Sequence, residues 1–453
     1  MTLQTLLALC APLLATVASS ATVNGQSRNT GPLVERSAIV PAVDAHQHLM
    51  SPAIAEHQSE KPPATVNLPA DLAAFLKARI SASRDRAALP ELYTERAWFL
   101  ESFNPAFIQT RDSIVDWWVG STDSPYDLVP IGFGIEGSAA FITSYLTDSK
   151  TRKRDAHVVQ SLAKGGDGRW RITTETLTMG GPRTVAPISA DYLVALLDSA
   201  GIRRAIVHSL AYQRGSSRQE AAAESALVKA ENEWTAAQVA QFPDRLRAFC
   251  SFNPIKSYAL AELTRCANSG AFRGIKLHMG NSRVDFEKPG DVERLRAVFA
   301  AANARKLPIV VHLATYGTPY GRKGAMTFLD QVLPAAPDIT VQIAHLASPG
   351  RLDPVSDSAL VVFADAITAG DARVKNLMFD VTTVIDPKTS AARIKLVASR
   401  LRQLGMTRIL YGSDTPDPEH QTPRDGWASF RDRLGLTDDE LRTIASNLPA
   451  YAR

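Results

Sequence analysis

From Ile188 to the C-terminus, short aliphatic runs alternate with amphipathic stretches with little interruption, and this limits the fold more than any other feature. The runs predict strands at 205–208, 246–252, 274–278, 309–312, 341–345, 377–381 and 409–412. Between them, helices are expected near 192–199, 220–241, 259–267, 292–304, 325–333, 357–368 and 391–404. Strands joined by helical crossovers pair in parallel. With one more strand at Val43-Asp44-Ala45-His46-Gln47-His48 the count reaches eight, the number that closes a (β/α)8 TIM barrel. The fold class is therefore α/β.

The stretch between the first strand and Ile188 does not share this alternation. Residues 71–80 carry the i, i+3, i+4 apolar spacing of a helix. Alternating strands follow at 140–147, 157–162 and 169–176, the last two joined by Gly165-Gly166-Asp167-Gly168 as an antiparallel hairpin. The expected organisation is a first barrel strand in 38–50, an inserted α+β domain in 51–187 and the rest of the barrel in 188–453. The loop leaving the C-terminal end of a barrel strand opens on the catalytic face. An insert that follows His48 is thus placed to act as lid or wall, the alternative being a domain that leans outward or dimerises.

At 453 residues, 45% hydrophobic and 21% charged, the chain has the composition of a soluble globular protein. A net charge of +4, with no basic run interleaved with aromatics, argues against nucleic acid as a partner. Residues 1–21 combine an apolar run with the small residues Ala18, Ser19, Ser20 and Ala21, as a secretory signal does, although no Lys or Arg precedes the run. A polar linker over 22–37 follows, and the expected location is secreted or periplasmic, with no membrane contact in the mature form. Cys250 and Cys266 lack zinc or redox spacing and read as buried apolar residues.

Histidines and an aspartate stand where aliphatic runs end. His46 and His48 share one strand face, two ligands for a divalent cation on one rigid element. His278 closes Gly274-Ile275-Lys276-Leu277-His278, His312 closes the fifth run and His345 the sixth, and Asp414 follows Leu410-Tyr411-Gly412-Ser413. Each is at the rim where barrel strands deliver catalytic side chains. Arg283 and Tyr316, on the loops after the fourth and fifth strands, are candidate substrate contacts with His278. His208 and Asp380 read as packing or supporting residues, and His57, His157 and His420 as surface residues.

This ordered set resembles the amidohydrolase superfamily, in particular the branch of amidohydrolase-related hydrolases and aminocarboxymuconate-semialdehyde-type decarboxylases. The resemblance implies that His46, His48, His312 and Asp414 hold a divalent cation, expected to be zinc, as one or two ions. It implies that His345 orients or deprotonates water or binds a second ion, and that Asp414 doubles as general base. Lys276 is either carboxylated and bridging or free to pair with a substrate carboxylate. The segments 88–100, 110–118 and 167–172 resemble the SnoaL-like, nuclear-transport-factor-like cone fold, which hosts enzymes and binding modules alike.

The leading expectation is a metal-dependent hydrolase that attacks an amide, lactone or ester of a small molecule. Non-oxidative decarboxylation of a small carboxylic acid is the alternative, and a non-catalytic ligand-binding barrel the reading from another class. Self-association as a homo-oligomer stays open.

Overall fold

The computed structural model describes residues 36–59, 63–83, 85–101, 104–121, 126–149, 154–179, 185–215, 221–315, 320–415 and 420–453. The expected signal, and the linker up to residue 35, lie outside them, as does Tyr316. The chain divides into Met1–Ile39, of which a 3-10 turn at Arg36–Ala38 is described, and Val40–Arg453. No described helix is long and apolar enough to cross a membrane.

The described residues of the second unit include fourteen strands. After β1 (Val43–His48) come six strands of the insert: β2 (Tyr93–Glu101), β3 (Asn104–Gln109), β4 (Tyr126–Glu136), β5 (Ala139–Asp148), β6 (Arg154–Lys164) and β7 (Trp170–Met179). Then follow β8 (Arg204–His208), β9 (Leu246–Ser251), β10 (Phe272–His278), β11 (Ile309–His312), β12 (Val341–Ile343), β13 (Leu377–Asp380) and β14 (Ile409–Leu410). β1 and β8 to β14 form one eight-stranded parallel sheet in chain order. Ala45 N donates to Tyr411 O (2.8 Å) and His48 N to Thr415 O (3.2 Å), which ties the last strand's extension to the first and nearly closes the barrel. Because helices cover the sheet outside and side chains fill it inside, the strands are almost wholly buried, hence their continuous aliphatic runs.

β12 is shorter than the expected 341–345. Regular pairing stops at Ile343, and His345, Leu346 and Ala347 turn with φ of 54°, 51° and 60°. Three consecutive left-handed residues without a glycine are costly, about 1–3 kcal/mol each. Hydrogen bonds hold them: His345 N donates to Asp380 Oδ1 (2.8 Å), and the Tyr320 hydroxyl to Ala347 O (2.7 Å).

Cys250 and Cys266 form a disulfide, which corrects the reading of them as separate buried residues. The helix Ala259–Ser269 folds back beside the strand that precedes it, so residues 16 apart in sequence come within 6.3 Å at Cα.

The insert forms a six-stranded sheet in the order β3-β2-β7-β6-β5-β4, with β6 and β7 as the expected hairpin. It has a hydrophobic core of its own, built on Phe75, Phe99, Ile114, Trp118, Ile142 and Ile172. At the centre of that core the fully buried Glu175 carboxylate accepts from Arg79, Tyr93, Trp118 and Gln160. Trp118 is thus part of the core. The insert's ends meet at an antiparallel bridge, Met50 N to Ile188 O at 3.1 Å and Ile188 N to Met50 O at 2.8 Å, so the barrel continues as though uninterrupted.

Candidate metal centre

Strand alternation puts His46 and His48 on one face of β1, and the barrel's closure brings Asp414 to them. His48 Nε2 lies 3.3 Å and His46 Nε2 3.7 Å from Asp414 Oδ1. Bonds of about 2.0–2.2 Å from one cation imply ligand spacings of roughly 3 to 3.5 Å, so the trio fits a divalent ion. Their outer atoms are committed elsewhere. Asp380 Oδ2 accepts from His46 Nδ1 (3.1 Å) and the His208 carbonyl from His48 Nδ1 (2.8 Å), which leaves both Nε2 lone pairs facing Asp414. Burial holds the His46 imidazole well below its usual pKa, assisted by the nearby Lys276 ammonium, so it is neutral and able to ligate. The Asp414 carboxyl is held well below the usual carboxylate range, because the histidines packed around it outweigh the upward push of burial.

The Tyr-Gly-Ser-Asp segment is built for this position. Ser413 N and Oγ donate to Asp44 (3.1 and 2.7 Å), which locks the segment to β1, and burial raises the Asp44 carboxyl to about 7. Asp414 then turns with φ 57°, its N–H donating to His46 O at 2.9 Å. His420, expected at the surface, instead lines the cavity and donates from Nδ1 to Asp414 O at 2.7 Å. Its apolar-free surroundings in the sequence carried no signal of this.

The other expected residues form a second tier. Lys276 is fully buried with Nζ 3.0 Å from His46 Nε2, and burial lowers its pKa to about 8. His278 and His312 stack at 3.9 Å, and His345 lies 4.8 Å from both His46 and His312 between ring centres. His345 Nδ1 donates to Thr382 O (3.0 Å), leaving Nε2 as an acceptor. His312 and His345 stand outside the close group of His46, His48 and Asp414.

These side chains line a cavity of about 760 Å³ at the C-terminal ends of the strands. Arg351, Asp386 and Lys388 also line it, and were not singled out in the sequence. Arg283 is exposed on the turn after β10 and is not part of the lining, because φ 53° turns the chain there. Among the described residues, none from the insert lines the cavity, so the expected lid or wall is not seen.

An eight-stranded parallel barrel with imidazoles and a carboxylate gathered at its C-terminal rim defines a class, the metal-dependent barrel enzymes. Residues 188–447 match the family model described as amidohydrolase, more than half of the chain, and the protein belongs to that family, whose superfamily binds divalent metal. No match is found among curated proteins. Similar solved structures include 5-carboxyvanillate decarboxylase from Sphingomonas paucimobilis, 17% identical, covering 56% of this chain and 79% of that one, TM-score 0.40. The apo form of an IDCase from Metarhizium anisopliae is 13% identical and covers 90% of this chain and 96% of that one, TM-score 0.46. An NTF-2-like protein of unknown function from Silicibacter pomeroyi DSS-3 is 16% identical and covers 24% of this chain and 94% of that one, TM-score 0.22.

Proposed function

We propose that the protein is a metal-dependent, non-oxidative decarboxylase of a small carboxylic acid. The observation that carries this reading is the charge of the cavity wall: Lys276 deep inside, Arg351 and Lys388 nearer the mouth, with Asp386 as the acid beside them. Such a wall suits an anionic substrate. His46, His48 and Asp414 would hold the cation, with His312 and His345 beside them. Bound there, the ion supplies positive charge that polarises a substrate oxygen.

The chain's own part is positioning and proton transfer. Arg351 and Lys388 would fix a substrate anion, and the stacked His278 and His312 offer a flat polar wall. When the bond between carbon and carboxylate breaks, carbon dioxide leaves and the electron pair stays on carbon. Lys276, buried in the cavity wall beside His46, is the proton donor we assign to that carbon. This departs from the sequence expectation that placed hydrolysis first. Hydrolysis is the second reading, favoured by an ionised Asp414 and by the free Nε2 of His345, both suited to accept a proton from water.

The disulfide supports export to an oxidising compartment as part of the same reading. Zinc is the ion we expect, with manganese the main competitor. The test is to load the protein with each metal and offer small aromatic and aliphatic acids in D2O. Release of carbon dioxide with deuterium at the vacated carbon is expected. Turnover of lactones or amides without carbon dioxide release overturns the reading in favour of hydrolysis.

A further inference from the structure

The C-terminal turn Ala450–Ala452 seats Tyr451 and Ala452 among Val43, Ile206, Phe249 and Val310, interior residues of β1, β8, β9 and β11. A hydrophobic plug would account for the ring, which meets Phe249 edge on at 5.4 Å. It does not account for the hydroxyl. Buried with the ring, that group donates to Gln342 Oε1 at 2.5 Å. Gln342 is itself fully buried, and its Nε2 donates to Asp380 Oδ2 at 2.6 Å and to Ala45 O at 3.3 Å. Asp380 Oδ2 is the oxygen that faces His46 Nδ1 at 3.1 Å.

Along this line each donor meets an acceptor. We propose that Tyr451 is a positioning residue for the metal centre, acting through Gln342 and Asp380 to keep His46 Nε2 aimed at the cation. An amide can be seated two ways, and reversing Gln342 would turn its carbonyl oxygen onto the Asp380 carboxylate. The Tyr451 hydroxyl bonds the amide oxygen and so secures the orientation that gives Nε2 to Asp380. Asp380 then accepts from His46 Nδ1, fixing ring angle and tautomer together. Tyr451 is thereby linked to His46 through the barrel interior. The inference rests on the reading of His46 as a metal ligand.

Tyr451→Phe keeps the ring and removes the hydroxyl. Metal-free wild type and variant are titrated with zinc against a chelator, and the absorption spectra of their cobalt-loaded forms are compared. Losing a direct partner of a ligating histidine costs about 10–100-fold in affinity, so a fall of about three- to tenfold is expected one bond further out, with a shifted cobalt spectrum. Gln342→Glu keeps the acceptor for Tyr451 but sets a carboxylate against Asp380, and a similar fall is expected. Zinc affinity and cobalt spectrum equal to wild type in both variants overturn the proposal, whatever happens to melting temperature, because a mere plug would behave so. Equal zinc binding by wild type and His46→Ala overturns the ligand reading itself, and the proposal with it.

Discussion

A β-carbon on Gly412 would lie 2.7 Å from the Cβ of His46 and would also strike the Thr382 hydroxyl. The segment that closes the barrel and the strand that carries the proposed metal-ligand pair therefore touch where no side chain fits. Gly412→Ala must push β1 away from the Ser413-Asp414 segment, opening the spacing between His46 and Asp414. Zinc affinity is expected to drop at least about tenfold, with a stability loss of about 1–3 kcal/mol for overpacking. Zinc titration and thermal unfolding check this, and a variant equal to wild type in both measurements contradicts the proposed closeness.

Arg79 and Glu175 tie the insert together and do not line the cavity. Both are fully buried, Arg79 Nη2 lies 3.3 Å from Glu175 Oε1, and the guanidinium stacks 4.5 Å from the Trp118 ring centre. Removing one partner strands the other charge in a dry core, a loss of about 3–5 kcal/mol. Arg79→Met is expected to unfold the insert at lower denaturant, read by tryptophan fluorescence, while zinc binding by the barrel stays within about twofold. A simultaneous loss of zinc binding would show that the two cores are not independent.

The barrel was legible because its signal repeats. Eight aliphatic runs, several ending in His46-Gln47-His48, His278, His312 and His345, state the strands and the rim that bears the polar ends. Less legible was everything decided by packing between distant segments. His345 lies in a left-handed turn only because Asp380 and Tyr320 hold it there, and local pattern extends β12 through it. The Cys250–Cys266 bridge depends on where a crossover helix lands, which spacing alone does not state. His420 reaches the cavity from a loop without periodicity, Tyr451 bonds Gln342 from a short turn near the C-terminus, and Arg351 and Lys388 matter by facing one cavity.

Arg351 stands at the cavity lining with its guanidinium exposed and 3.6 Å from Asp386 Oδ2, a weak and solvated pair. Its side chain can therefore turn to an incoming carboxylate with little to break. Arg351→Ala is expected to raise KM for the substrate acid about 5- to 30-fold, the worth of one charge-assisted hydrogen bond, with kcat changed less than about threefold. Lys388→Ala should act in the same direction. Steady-state kinetics on the acid found by carbon dioxide release decide it, and a fall in kcat with constant KM would move Arg351 from recognition to chemistry.

Glu231 offers a pH test independent of the metal. It is 3% exposed, accepts from Ser51 Oγ just beyond β1, and its Oε1 has no hydrogen-bond partner among the described residues. Burial raises its pKa above the usual glutamate value, against the opposing hydrogen bond from Ser51 and the charge of Arg214. The folded protein thus keeps this proton to a higher pH than the unfolded chain does. Between the unfolded and folded pKa values the native state binds more protons, so stability falls as pH rises through that window, at no more than about 1.4 kcal/mol per unit. Below the unfolded value the contribution is complete, and above the folded value it is gone. Glu231→Gln, neutral at every pH, should flatten that part of the profile and gain on wild type as the pH rises. Denaturant unfolding of both proteins from pH 4 to 8 measures it, and parallel profiles would mean that Glu231 keeps an ordinary pKa in the fold.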